Sequence, residues 1–199
     1  MKFKKIGEKI IELKNKDFEL RNRLLQNGQL GNDYNQKMAN LHNKNAELLN
    51  EIIDSIGYPT IDKVGEAASQ AAWLVIQHSI GQPDFMKKCS KLLKKAVIEK
   101  KASPINLAYL IDRINVFEGE PQTYGTQFDW DENGEMSPQD FDDLDKVNQR
   151  RKSIGLNKLE EQIEIMREQA KNENQIPPKD FLERKIEIEK WKKSVGWKK

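Results

Sequence analysis

Residues 4–27 place apolar side chains at Ile6, Ile10, Leu13, Leu20 and Leu24. Steps of three and four predict a helix. Asn27-Gly28 and Gly31 interrupt it. Residues 33–56 repeat the pattern with Tyr34, Met38, Leu41, Leu48, Ile52 and Ile56. A short connection between two such segments predicts an antiparallel helical hairpin over 1–56. Asp17 and Asn45 stand where the spacing asks for an apolar residue, and they read as polar positions that set register.

The middle of the chain is less polar. Gly57-Tyr58-Pro59-Thr60 forms a turn, with Thr60 as N-cap of a helix over 61–79 that Gly81 closes. Pro83 opens a helix over roughly 83–100, and Ser103-Pro104 opens one over about 104–117. Gly119, Pro121, Gly125, Gly134 and Pro138 then crowd together, and 122–130 has modest strand propensity. A short irregular or β-hairpin excursion is expected near 119–136. Charged helices follow over 140–153 and 156–172, and a last one from Pro177-Pro178 to Trp191. The expected fold is all-α: a helical bundle with a hairpin over 1–56, a core over 57–160 carrying the candidate site, and charged helices over 161–199.

Composition supports a thin core under charged helices: hydrophobic residues make up 37% and mean hydropathy is −0.83. Lys and Arg number 34 against 32 acidic residues, and the two signs are interleaved, so the net +2 argues against a nucleic-acid partner. Cys89 is the single cysteine, which rules out an intrachain disulfide and suits a reducing compartment. The amino-terminal stretch is charged where a signal peptide needs an apolar run. The longest apolar run, 71–76, is far short of the ~20 residues that span a bilayer. A cytoplasmic protein without a membrane partner is expected.

The segment VGEAASQAAWLVIQH, residues 64–78, carries Gln70, Trp73, Gln77 and His78 in an otherwise apolar helix. Buried polar groups need hydrogen bonds. Residues 67, 71, 74, 75 and 78 share a face. His78 reads as a core histidine whose ring nitrogens meet a backbone carbonyl and a side chain, as a general acid/base, or as a non-catalytic ligand contact. In LAYLIDRINVF, Asp112 and Arg113 either tie this helix to its neighbour or act in a site, Asp112 orienting an imidazole and Arg113 clamping an anion. Tyr124, Gly125, Thr126 and Gln127 either form a turn whose polar groups satisfy each other or offer a ligand a hydroxyl, a close backbone approach and an amide. Cys89 reads as core packing. His42, on an Asn-rich helix, reads as solvated. No two histidines have metal-ligand spacing, and the acidic alternation Asp129, Asp131, Asn133, Glu135 misses the EF-hand pattern, so neither metal nor cofactor is expected.

These two segments, with PQTYGTQF and RRKSIGLNKLEE further on, resemble a bacterial family known only as a domain of unknown function. The resemblance covers residues 57–160 and leaves the N-terminal hairpin and last helix outside. It implies that Trp73, Gln77, His78, Asp112, Arg113, Tyr124, Gly125, Thr126 and Gln127 form one site. It also implies an acidic residue where this chain has Ile80. It brings no reaction with it. The expectation is a polar pocket for a small polar or anionic ligand with hydrolase or transferase chemistry. His78 would be the acid/base, Asp112 its orienting partner, Arg113 the anion clamp, and Trp73, Gln77, Tyr124, Thr126 and Gln127 ligand contacts. The alternative is an interaction module, an immunity or regulatory factor, that docks a protein partner through residues 1–56.

Overall fold

The computed structural model describes residues 2–29 and 34–198. The chain divides into two compact units, Met1–Ser103 and Pro104–Lys199.

The first unit contains α1 (Lys4–Gln26), α2 (Gln36–Ile56), α3 (Ile61–Val64), α4 (Glu66–His78) and α5 (Pro83–Ile98). The helical hairpin is present: Asn45 Nδ2 donates to the Leu13 carbonyl at 3.2 Å and Asp17 meets His42 further along α1, so α1 and α2 run antiparallel. Gly31, expected to break the connection, lies outside the described residues. Asn35 starts α2, its Oδ1 accepting from the backbone of Lys37 and Met38. The buried face of α2 is Met38, His42, Asn45, Ala46, Leu49 and Ile53, whereas Leu48 is exposed and Leu41 and Ile52 are half-buried. The apolar row read from the sequence is therefore one position off. Leu48-Leu49 and Ile52-Ile53 offer two overlapping stripes, and the second is the buried one.

The helix expected over 61–79 is two helices, broken at Gly65, whose φ of +87° favours glycine. Thr60 occupies the N-cap position but makes no capping bond. The face of α4 turned to the core is Ala68, Ala71, Ala72, Val75 and Ile76, while Ala67 is exposed and Leu74 half-buried. These small residues let α1 lie close alongside α4. A Cβ on Gly7 would sit 2.8 Å from the Val64 carbonyl oxygen and 3.3 Å from Ala68 Cβ. Gly7 lies near the start of α4 and Asp17 near its end, so the two helices run parallel. Pro83 opens α5, which buries Met86, Cys89 and Leu93 completely.

The second unit contains α6 (Pro104–Glu118), β1 (Phe128–Trp130), β2 (Met136–Pro138), α7 (Leu144–Ser153), α8 (Leu159–Asn172) and α9 (Phe181–Ser194). The strands pair antiparallel with Phe128 opposite Pro138 and Trp130 opposite Met136. Asp131 shapes their turn by accepting from the backbone of Asn133 and Glu135 and from the Ser137 hydroxyl. The acidic alternation is thus turn chemistry. The last helix begins at Phe181, not at the proline pair, because Asp180 supplies the cap that Glu183 N–H needs. It is held by Phe117, which stacks on Trp197 at 5.1 Å and tilts against Trp191 at 5.7 Å. Among the described residues the fold is all-α apart from the one hairpin, and no helix is long and apolar enough to cross a membrane.

Candidate functional site

Asp17 projects from α1 into the first unit with 1% of its surface exposed. An unpartnered carboxylate there would be costly. Two imidazoles face it. His78, at the end of α4, puts Nδ1 2.6 Å from Oδ2. His42, on α2, puts Nε2 3.2 Å from the same oxygen. The rings lie 5.1 Å apart between centroids. Burial alone would push the Asp17 carboxyl up, but the two imidazoles outweigh it and hold the carboxyl well below the usual range. The carboxylate is therefore ionised.

His42 is buried, contrary to the solvated position read from its Asn-rich surroundings. Its Nδ1 is 2.6 Å from the Tyr34 hydroxyl, and the two rings stack at 5.8 Å. That contact fixes the ring with Nε2 toward Asp17. Burial raises the Tyr34 phenol above its ordinary value, and the Asp17 charge adds to this, so Tyr34 stays protonated. Asp17 Oδ1 is buried and makes no hydrogen bond, and His42 Nε2, buried 3.2 Å from Oδ2, is an ion-pair neighbour without an aligned hydrogen bond. Buried polar atoms without partners are rare enough to require a reason.

His78 is different. Its side chain keeps 31% of its surface exposed and opens on a cleft of about 210 Å³ lined by Asp17, Arg21, Tyr34, Asn35, Met38, His42 and His78. Arg21, one helical turn after Asp17, lines the cleft from the same helix. A histidine oriented through one ring nitrogen by a buried carboxylate, with the ring edge open to a cleft, can move a proton. Of the other α4 residues expected in the site, Trp73 is half-buried and Gln77 buried.

The remaining expected residues belong to the second unit, where they hold a loop. Asp112, fully buried on α6, accepts at Oδ1 from Thr123 N–H at 2.7 Å and at Oδ2 from Thr126 N–H and the Thr126 hydroxyl, both at 3.0 Å. Tyr124 N–H also donates to it, at 3.1 Å. Burial pushes the Asp112 carboxyl up, and these donors pull it back only in part. Gln122 closes the loop on itself, accepting from Gln127 N–H at 2.7 Å and donating to the Gln127 carbonyl at 3.0 Å. Arg151, 1% exposed, donates to the Tyr124 carbonyl at 2.9 Å. Arg113 Nε donates to Gln127 Oε1 at 2.9 Å. Gly125 has φ +63°, and a Cβ there would press on Leu159 at 3.0 Å. The carboxylate that orients His78 is thus Asp17, and Asp112 serves the backbone of 123–126.

Sequence reasoning passed over Asp17, Arg21, Tyr34 and His42 as site residues. Spacing along the chain cannot reveal a cluster drawn from α1, α2 and α4. The available signal was that Asp17 falls in the row Ile10, Leu13, Asp17, Leu24, and His42 in the row Met38, His42, Asn45, Leu49, Ile53, all of them buried.

A helical fold with an Asp/His/His cluster defines no activity by itself, and comparison leaves that class open: the chain belongs to a family of unknown function. The family is DUF6624, and its model matches residues 6–172. The match takes in α1 and α2, and with them Asp17 and His42, which lie outside the span that carried the resemblance. No curated protein matches the chain, and no solved structure does.

Proposed function

We propose that the cleft around Asp17, His42 and His78 binds a small anionic molecule and that His78 exchanges a proton with it, as hydrolase or transferase chemistry requires. The observation that carries this reading is the 2.6 Å contact between Asp17 and His78 at an open cleft. Asp17 fixes the ring through Nδ1. A histidine so placed can give or take a proton at the ring edge that faces the cleft.

Charge supports the anionic class. Arg21 and two imidazoles surround a single carboxylate, so protonation of either ring leaves the cleft positive. Size supports a small ligand, since about 210 Å³ is below the ~300 Å³ at which drug-sized pockets begin. The clamp assigned above to Arg113 falls in this reading to Arg21, on the helix that carries Asp17.

Inorganic phosphate is the probe. With the metal-free full chain, it should shift the side-chain NMR signals of His78 and saturate. Arg21→Ala and His78→Ala should each weaken binding about tenfold, the loss of roughly one charge-assisted contact. Wild-type affinity in both variants would overturn the reading.

A further inference from the structure

We propose that Asp17, His42 and His78 form a binding site for one divalent transition-metal ion of the zinc class. Each residue offers one donor atom, and the three atoms lie within 4.8 Å of one another. An ion with bonds of ~2.0–2.1 Å holds tetrahedral ligands about 3.3 Å apart. The His42–Asp17 separation, 3.2 Å, already meets that spacing. The His78–Asp17 separation, 2.6 Å, must open by less than 1 Å. His78 ends its helix and is partly exposed, so its ring has room to move.

The unsatisfied atoms point the same way. Asp17 Oδ1 and His42 Nε2 are buried without aligned hydrogen bonds, and both are of types that bind metals. A cation held between Asp17 Oδ2 and His42 Nε2 gives that ring nitrogen the partner it lacks. His42 also has the outer support that metal-bound imidazoles show: its second nitrogen engages Tyr34. Two imidazoles and one carboxylate favour zinc-class ions over magnesium or calcium, which take oxygen ligands.

Three protein donors beside an open cleft leave a fourth position for water or for an anion that Arg21 also reaches. The inference rests on the reading that this cleft is the functional site, and it deepens that reading. The ion and the proton shared by Asp17 and His78 use the same lone pairs. With the ion bound, Asp17, His42 and His78 would hold it as ligands, and the ion would supply acidification of a bound water in place of the His78 proton.

The test uses the full chain stripped with EDTA. Titration with Co²⁺ should give the intense visible bands of a four-coordinate ion, saturating at one equivalent, and Zn²⁺ should displace it. His78→Ala, at an exposed helix end, should remain folded by circular dichroism and lose at least 100-fold in Zn²⁺ affinity. His42→Ala should do the same, and Tyr34→Phe should lose about tenfold. Failure of the folded wild-type chain to bind Zn²⁺ or Co²⁺, unchanged affinity in His78→Ala, or the weak bands of six-coordinate Co²⁺ would overturn the proposal. Phosphate binding is measured separately on the stripped chain. Phosphate bound without any metal affinity removes this inference alone, and metal bound without phosphate affinity removes the anion reading alone.

Discussion

At the scale of single residues, buried carboxylates survive here because donors surround them, and the kind of donor separates two roles. Asp112 meets backbone N–H groups and a hydroxyl, whereas Asp17 meets two titratable rings. Replacing Asp112 with Asn turns an amide NH₂ toward N–H donors and leaves at least one unsatisfied. The expected loss is about 2 kcal/mol, seen as a lower urea midpoint with unchanged slope. An unchanged midpoint would mean that Asp112 does not hold the loop. Cys89 gives a pH test. Burial pushes its thiol up to about 12, against a smaller opposing pull from Lys88. An unfolded thiol titrates near ~8.5. Between those values the folded chain keeps a proton that the unfolded chain loses, so stability falls as pH rises through the window. Iodoacetamide at pH 8.5 should leave native Cys89 unmodified and alkylate it in urea.

At the scale of elements, close contact between α1 and α4 brings Asp17 to His78. Gly7→Ala tests that contact. Alanine gains about 1 kcal/mol of helix propensity over glycine, but its Cβ would stand 2.8 Å from a backbone carbonyl that cannot rotate away. Overpacking of this kind costs about 1–3 kcal/mol, so a net loss of about 1 kcal/mol is expected, read as a lower Tm. Much of this level was legible in the sequence. The three- and four-residue steps revealed both hairpin helices, and proline marked the starts of α5 and α6. The break at Gly65 was hidden because residues 61–78 keep helical spacing across it. The face of α2 was misread because adjacent Leu and Ile pairs satisfy two stripes equally. Asp17 reads in the sequence as a polar register position in an apolar seam, since nothing local to α1 announces its partners on two other helices.

At the scale of the whole chain, the family match ends at residue 172, yet α9 lies beyond it and is tied into the second unit. Trp197 is 5% exposed against Phe117, and Lys192 Nζ donates to the Val116 carbonyl at 3.1 Å, beside the end of α6. A chain ending at 172 should expose Phe117 and lose amide hydrogen-exchange protection over the last turns of α6. Unaltered protection there would show that α9 is an appendage. The division at Ser103 was not readable from the sequence, because Ser103-Pro104 reads only as one more helix start.

The Asp/His/His cluster takes one member from each of three helices, and this ties occupancy to architecture. A chain whose first helix has peeled away holds no such constellation, so a guest seated there acts as a clasp on the native arrangement. By mass action, a guest at one hundred times its dissociation constant would add about 2.7 kcal/mol to the resistance of Met1–Ser103 against unfolding. Melting curves can therefore identify the natural guest without any assay of turnover.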